Sequence, residues 1–345
     1  MNKLTKIGVS ALCGSLAAVA SAQAGELTLK GGATATYSSN EGKVDGNPIG
    51  MNSGVTMVGS GELDNGTTFT LTLTQADQVA YSAGSIAMTM PSLGGIKING
   101  RAGGTGVDRY DDMMPTAWEE TTGTSLATGL QTVAGVGGAM NIEWTASADM
   151  LPDGAHFGIA FAPGATVATH SADKAVSGDS AGIGAGYDIT VGSTGLMDGL
   201  NVFAGMSTIE QAGGTGDGRG YDSDRTQYVA GATYAVGSVT VGYQYSKDNL
   251  QSSGNGAASY YQNDAYGISF AVNDDLTISY GIHKSDKAVN DATANVETEA
   301  QSLQMSYTMG GMSIKFAESQ VDNASYTSGS ANDFDGRTIA LTLAF

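Results

Sequence analysis

The last eight residues read Thr338-Ile339-Ala340-Leu341-Thr342-Leu343-Ala344-Phe345. In an extended chain Ile, Leu, Leu and Phe fall on one face, and Thr, Ala, Thr and Ala on the other. Period two sustained over a whole segment is the mark of a strand with one apolar and one polar face. The alternation recurs upstream. Leu27, Leu29, Ala33, Ala35 and Tyr37 oppose Thr28, Lys30, Thr34 and Thr36. Phe69, Leu71 and Leu73 oppose Thr68, Thr70, Thr72 and Thr74, and Leu276, Ile278, Tyr280 and Ile282 oppose Thr277, Ser279, Gly281 and His283.

The connections alternate as well, short then long. Asp64-Asn65-Gly66, Gly237-Ser238, Asn273-Asp274 and Gly310-Gly311 are tight-turn sequences. The long connections are rich in Gly, Ser, Asn and Asp, and the third, about 103–139, is the longest. All five prolines lie in or beside connections, where a missing N–H breaks no ladder. Seven short turns and eight long loops give sixteen strands, from 26–37 to 335–345. The sixth is expected at 140–149, and the thirteenth at 275–284 before a loop over 285–297. The facing of 200–210 stays open, because Val202 and Phe203 point opposite ways.

The chain has 345 residues, with 34 Asp and Glu against 15 Lys and Arg, a net charge of −19. An acidic balance excludes nucleic-acid binding, which needs clustered cations. Lys3 and Lys6, the apolar run from Ile7 to Ala20 and the small residues Ala22 and Ala24 form a secretory signal peptide over 1–24. The single Cys, Cys13, lies inside it, so no disulfide framework or Cys-based zinc site is expected in 25–345. With 51 Gly, long stable helices are not expected either.

Two architectures fit such strands. A soluble sandwich or solenoid buries the apolar face, whereas a transmembrane barrel turns it to lipid and lines water with the polar one. Strands of 9–11 residues, short turns at one end with long loops at the other, an even strand count and aromatics toward strand ends favour the barrel. The expected fold is therefore an all-β, 16-stranded antiparallel transmembrane barrel over 25–345. A barrel of that size is too wide for side chains to fill, so an aqueous channel remains.

At this point the sequence resembles the Gram-negative general diffusion porins, especially the alphaproteobacterial type. The resemblance covers the chain after the signal peptide. It rests on that peptide, the opening Glu26-Leu27-Thr28-Leu29-Lys30-Gly31, the first turn Leu63-Asp64-Asn65-Gly66-Thr67, the eight hairpins and the terminal Phe345. Leu341, Leu343 and Phe345 look like the signal read by the barrel assembly machinery; Arg337 departs from the aromatic more usual there. The resemblance implies a homotrimer in the outer-membrane lipid, each barrel with its third loop folded into the pore. The short second loop, 76–84, departs from the latch that many porins form between subunits.

The third loop carries Asp108, Arg109, Asp111, Asp112, Glu119 and Glu120. Carboxylates gathered in a narrow lumen focus field and favour cations. Strand parity puts Lys30, Lys97, Arg101 and Lys315 on the lumen side, as a basic wall facing those acids. Asp108, Asp111 and Asp112, or Asp217, Asp222 and Asp224, could offer oxygens to Ca2+, but neither set has the spacing of a calcium loop, and no cofactor or resident metal is expected. His156, His170 and His283 make no triad, so no enzyme is expected. The expected function is passive, mildly cation-selective diffusion of small hydrophilic solutes and ions. A substrate-specific porin and a secreted or surface adhesion protein are the alternatives.

Overall fold

Strand β1 (Glu26–Glu41) pairs on one side with β2 (Ile49–Glu62) and on the other with β16 (Phe334–Ala344), so the first and last strands close a cylinder. Between them run β3 (Thr68–Ala76), β4 (Ala83–Met90), β5 (Gly94–Gly100), β6 (Met140–Thr145), β7 (Ala155–Ala162), β8 (Ile183–Ser193), β9 (Leu200–Gln211), β10 (Arg225–Val236), β11 (Val239–Asn249), β12 (Ala258–Ala271), β13 (Leu276–Val289), β14 (Val296–Met309) and β15 (Met312–Asp322). Each pairs antiparallel with its chain neighbours. This computed structural model describes residues 25–41, 46–77, 83–100, 102–124, 126–165, 183–211, 220–290 and 294–345. The 1–24 segment, Arg101, Asp217, His170 and most of the second loop lie outside the described residues.

The burial of the two faces is the reverse of a soluble sandwich. Leu341, Leu343, Ile339, Tyr266, Ile268 and Phe270 are exposed on the outside, whereas Thr338, Ser302, Gln304 and Asn263 are buried on the inside. Polar partners meet across the inner face: Thr34 with Thr342 at 3.0 Å, and Ser38 with Thr338 at 3.1 Å. Val202 turns outward, and Phe203 turns in and is buried, which resolves the facing of β9.

Two boundaries differ from those read in the sequence. β6 stops at Thr145, because Ser147 caps a single 3-10 turn at Ala148–Met150 by accepting from the Asp149 N–H. β13 and β14 run on to Val289 and from Val296, through what reads as loop. From Lys284 onward the outward apolar residues give way to charge, but the ladder continues, with Asp286 opposite Glu297 and Lys284 pairing with both glutamates of β14. Lys284 Nζ lies 2.6 Å from Glu299 and 3.9 Å from Glu297. Beyond the apolar belt, ion pairs do what apolar contact does within it.

The seam ends on the last residue. The Gly31 N–H donates to the Phe345 carbonyl at 3.1 Å, and the Phe345 N–H donates to the Gly31 carbonyl at 2.9 Å. The Phe345 ring lies over Gly31, where a Cβ would stand 2.7 Å from its Cζ. The ring covers the gap that glycine leaves on the outer wall. Gly31→Val should displace the ring and destabilise the barrel by about 1–3 kcal/mol, the usual cost of overpacking. Thermal unfolding of the detergent-folded barrel checks this, with a lower transition temperature expected.

Candidate functional site

The connection between β5 and β6 leaves the rim and folds into the lumen. Its outgoing limb passes β6, β8, β11, β13, β14 and β15 in turn, and its return limb comes back past β12, β10 and β8. A loop there has no ladder to satisfy its amides, and buried N–H groups must find partners. The wall supplies them through long polar side chains. On β8, Asp188 Oδ2 accepts from the Val107 N–H at 2.9 Å and from the Val136 N–H at 3.1 Å, tying outgoing and returning limbs to one carboxylate. Gly106 and Gly135 let the backbone approach so closely: both have positive φ, 59° and 49°, and a Cβ on either would overlap that carboxylate.

The other pegs follow the same rule. Glu143 on β6 accepts from the Gly106 N–H at 3.0 Å. Gln227 on β10 accepts from the N–H groups of Ala134 and Gly135, at 3.0 and 2.6 Å. Gln244 on β11 accepts from the Met113 N–H and donates to the carbonyls of Tyr110 and Asp111. Ser279 on β13 accepts from Ala117 N–H at 2.7 Å, and Gln304 on β14 accepts from Trp118 and Glu119. Thr124 reaches Ser302 and Ser319 on β14 and β15. A small apolar core, Val107, Tyr110, Val133, Phe203 and Val229, fills the space behind, with Tyr110 stacked on Phe203 at 5.0 Å.

What the pegs hold is an acidic arc. The Asp108 carboxylate accepts from Gly104 N–H at 2.6 Å, Asp111 from Asp112 N–H at 2.8 Å, and Asp112 from Met114 N–H at 2.9 Å. Glu119 and Glu120 are exposed. Glu120 reaches the lumen's water yet is hemmed in by the loop around it, and this partial desolvation, then the charges of Asp112, Asp111, Glu119 and Asp108, push its carboxyl up to about 7. Burial pushes Asp111 up to about 6, with backbone hydrogen bonding opposing and Asp108 and Asp112 reinforcing the shift. Burial also raises Asp108 and Asp112, against the Gly104 N–H and Lys97 for the first and the Met114 N–H for the second. All five acids read from the sequence therefore act on one another.

The basic residues fall out differently. Arg109 does not join the arc at the pore: it pairs with Glu143 of the wall and donates to the Gly106 carbonyl at 3.3 Å. Its local sequence offers only aspartates, and the wall carboxylate 34 positions on competes successfully. Lys315 does not face the loop from across the lumen. It stands beside it, its Nζ 5.8 Å from the Trp118 ring centre, because the loop extends as far as β15. Lys97 on β5 draws on Asp108 at the loop's root. Lys30 lies on the inner face of β1, opposite Thr56 of β2 in register. Among the described residues no three metal-ligating side chains converge.

Glu143, Asp188, Gln227, Gln244 and Gln304 were missed as site residues. Their signal was present: each is a long or charged side chain at an inner-face position with a small residue opposite on at least one neighbouring strand, Ala160 for Glu143 and Asp188, Ser207 for Gln227, Gly231 for Gln244 and Ser279 for Gln304.

No family model matches the chain, and no curated protein matches it. Solved structures do. The chain is similar to Salmonella typhi OmpF, described in complex with daunomycin, at 17% identity and a TM-score of 0.68, covering 92% of this chain and 97% of that one. It is similar to a trimer form of Vibrio cholerae OmpT, an outer membrane protein, at 14% identity and 0.64, covering 94% and 100%. It is also similar to an anion-selective porin from Comamonas acidovorans, at 14% and 0.63, covering 93% and 100%. The fold is that of the sixteen-stranded porins.

Asp188→Ala should loosen the loop at its root, since each stranded amide costs about 1–3 kcal/mol. Limited trypsin digestion of the folded barrel checks this. Cleavage after Arg109 is expected in the variant but not in the unaltered chain.

Proposed function

We propose that this chain is a general diffusion porin of a Gram-negative outer membrane, passing small hydrophilic solutes and ions through a water-filled lumen without transforming them. The observation that carries the reading is the acidic arc, pinned across the inside of a closed sixteen-stranded barrel. An exterior belt of Leu, Ile, Val, Met and Tyr, exposed on strand after strand, suits lipid and not water. Export by the 1–24 signal peptide and recognition of Leu341, Leu343 and Phe345 by the barrel assembly machinery belong to the same reading. So does a homotrimer. A structurally similar outer membrane protein, Vibrio cholerae OmpT, is described in a trimer form, which supports it.

Selectivity follows from the charges. Asp108, Asp111, Asp112, Glu119 and Glu120 constrict the pore from the loop, and Glu143 removes Arg109 from the count by pairing with it. Lys30 and Lys97 oppose the arc, with Arg101 assigned to that wall by strand parity. Lys315 adds a cation at Trp118. Acid outweighs base, so cations should pass preferentially, and salt should screen the preference.

Titration sets its pH dependence. Glu120 and Asp111 are held up to about 7 and about 6, so both are ionised at pH 8 and protonated at pH 5. Removing negative charge weakens the attraction for cations. In a planar bilayer under a KCl gradient, the reversal potential should lie on the cation side at pH 8 and move toward zero as pH falls through 7 and 6. An anion-side potential at pH 8 would refute the reading.

A further inference from the structure

The eighth outer connection, between β15 and β16, contains three non-glycine residues in the left-handed region: Asn323, Ser325 and Tyr326, with φ of 54°, 57° and 57°. Bulky residues avoid that region, and they stay there only when their surroundings hold them. Here the surroundings are the inner wall and the long loop. The Tyr326 side chain is buried and packs at a tilt against Tyr261 of β12, ring centres 5.0 Å apart, with Lys287 Nζ 5.8 Å from its ring centre. Its backbone N–H donates to Thr298 Oγ1 at 3.1 Å, and that hydroxyl donates to the Asn323 carbonyl at 2.8 Å. The strained turn is thus fastened to β14.

The Tyr326 hydroxyl then bridges the wall and the long loop. It lies 2.8 Å from Ser285 Oγ of β13 and accepts from the Gln131 N–H of the long loop at 2.9 Å. The neighbouring Ser325 N–H donates to the Thr128 carbonyl at 2.7 Å. Leu126 completes the contact by packing with Val321, Ala324 and Phe334. These contacts fall midway along the return limb, between the Thr124 peg on β15 and the Ala134 peg on β10. Asn263, donating to the Gln131 carbonyl at 3.1 Å, is the wall's own support there.

We infer that Tyr326 is a positioning residue for the constriction: its hydroxyl clasps the return limb to the wall from a second, inward-folded loop, and so fixes the acidic arc that the limb follows. The inference rests on the channel reading only in its consequence for current. The clasp itself is a statement about the loop. Restraint passes from Tyr326 to Gln131, through Thr128 and Leu126, which the same loop and its strands hold, to Thr124, four residues from Glu120 in sequence.

Tyr326→Phe tests it, because the ring can keep its packing against Tyr261 while both hydroxyl contacts vanish. Hydrogen exchange on peptides covering 126–134 should quicken by about tenfold, the scale of one lost hydrogen bond. Heat stability of the barrel should stay unchanged. Single-channel traces should show noisier open current and closure at lower voltage. Ser285→Ala, which removes the wall side of the bridge, should give a weaker form of the same changes. Wild-type exchange rates in both variants would overturn the clasp, whatever the current does. Conductance absent from the unaltered, inserted barrel would overturn the channel reading and leave the exchange result to decide the clasp.

Discussion

A backbone amide that faces hydrocarbon has no water to turn to, and the architecture follows from that constraint. A flat sheet of these strands would leave two edges unpaired. Joining β1 to β16 removes both, and every strand then has a partner on either side. Closure also inverts the usual relation between sequence and interior. With the backbone satisfied along the wall, side chains need only match the medium each face meets. Leu, Ile and Tyr go out, and Thr, Ser, Gln and Gly go in. The same chain of consequences sets the width. Sixteen strands enclose more space than their own side chains occupy, and a loop is needed to narrow it.

That loop meets the backbone problem again in another form. Inside the lumen it forms no ladder, yet much of it is buried. The solution is a set of carboxylates, carboxamides and hydroxyls projecting from β6, β8, β10, β11, β13 and β14, each accepting one or two amide protons, with a hydroxyl contact to β15 at Thr124. Asp188 is the clearest case. One carboxylate serves two limbs of the loop, and two glycines with positive φ make room for it. Partial removal from water, reinforced by the neighbouring acids, is what displaces Glu120 and Asp111 from the ordinary carboxylate range. The scaffold therefore stores electrostatic strain where ions would pass.

Much of this was legible in the sequence, and what was not has physical reasons. Alternation from Leu27 to Phe345 yields the sixteen strands because a period-two pattern depends only on which face each residue takes. It fails where charge replaces the apolar face, beyond Lys284 at Asp286 and before Glu299 at Glu297, although the ladder continues between them. It ran on too far at β6, where a hydroxyl cap at Ser147 turns the chain. The acids of the third loop could be found by composition. The partner of Arg109 could not, because nothing local shows that the loop brings it to Glu143. Nor could the reach of the loop to β15, which puts Lys315 beside Trp118 instead of opposite the arc. Contacts between distant segments depend on a path through space that periodicity does not encode.

The loop leaves the wall with two unlike halves. From β6 to β14, Glu143, Asp188, Gln227, Gln244, Asn263 and Gln304 are already engaged in holding backbone. On β1 to β3 the inner face carries Thr34, Thr56, Thr70, Thr72 and Thr74 with Lys30, and the hydroxyls of Thr56 and Thr74 meet at 3.4 Å. The two halves differ in what mutation can reach. A change on the first half risks the loop and hence the whole aperture. A change on the second alters the lining while leaving the frame in place. A protein engineer who wanted a new sensing group in this lumen would graft it onto the threonine half, where the scaffold has the fewest prior commitments.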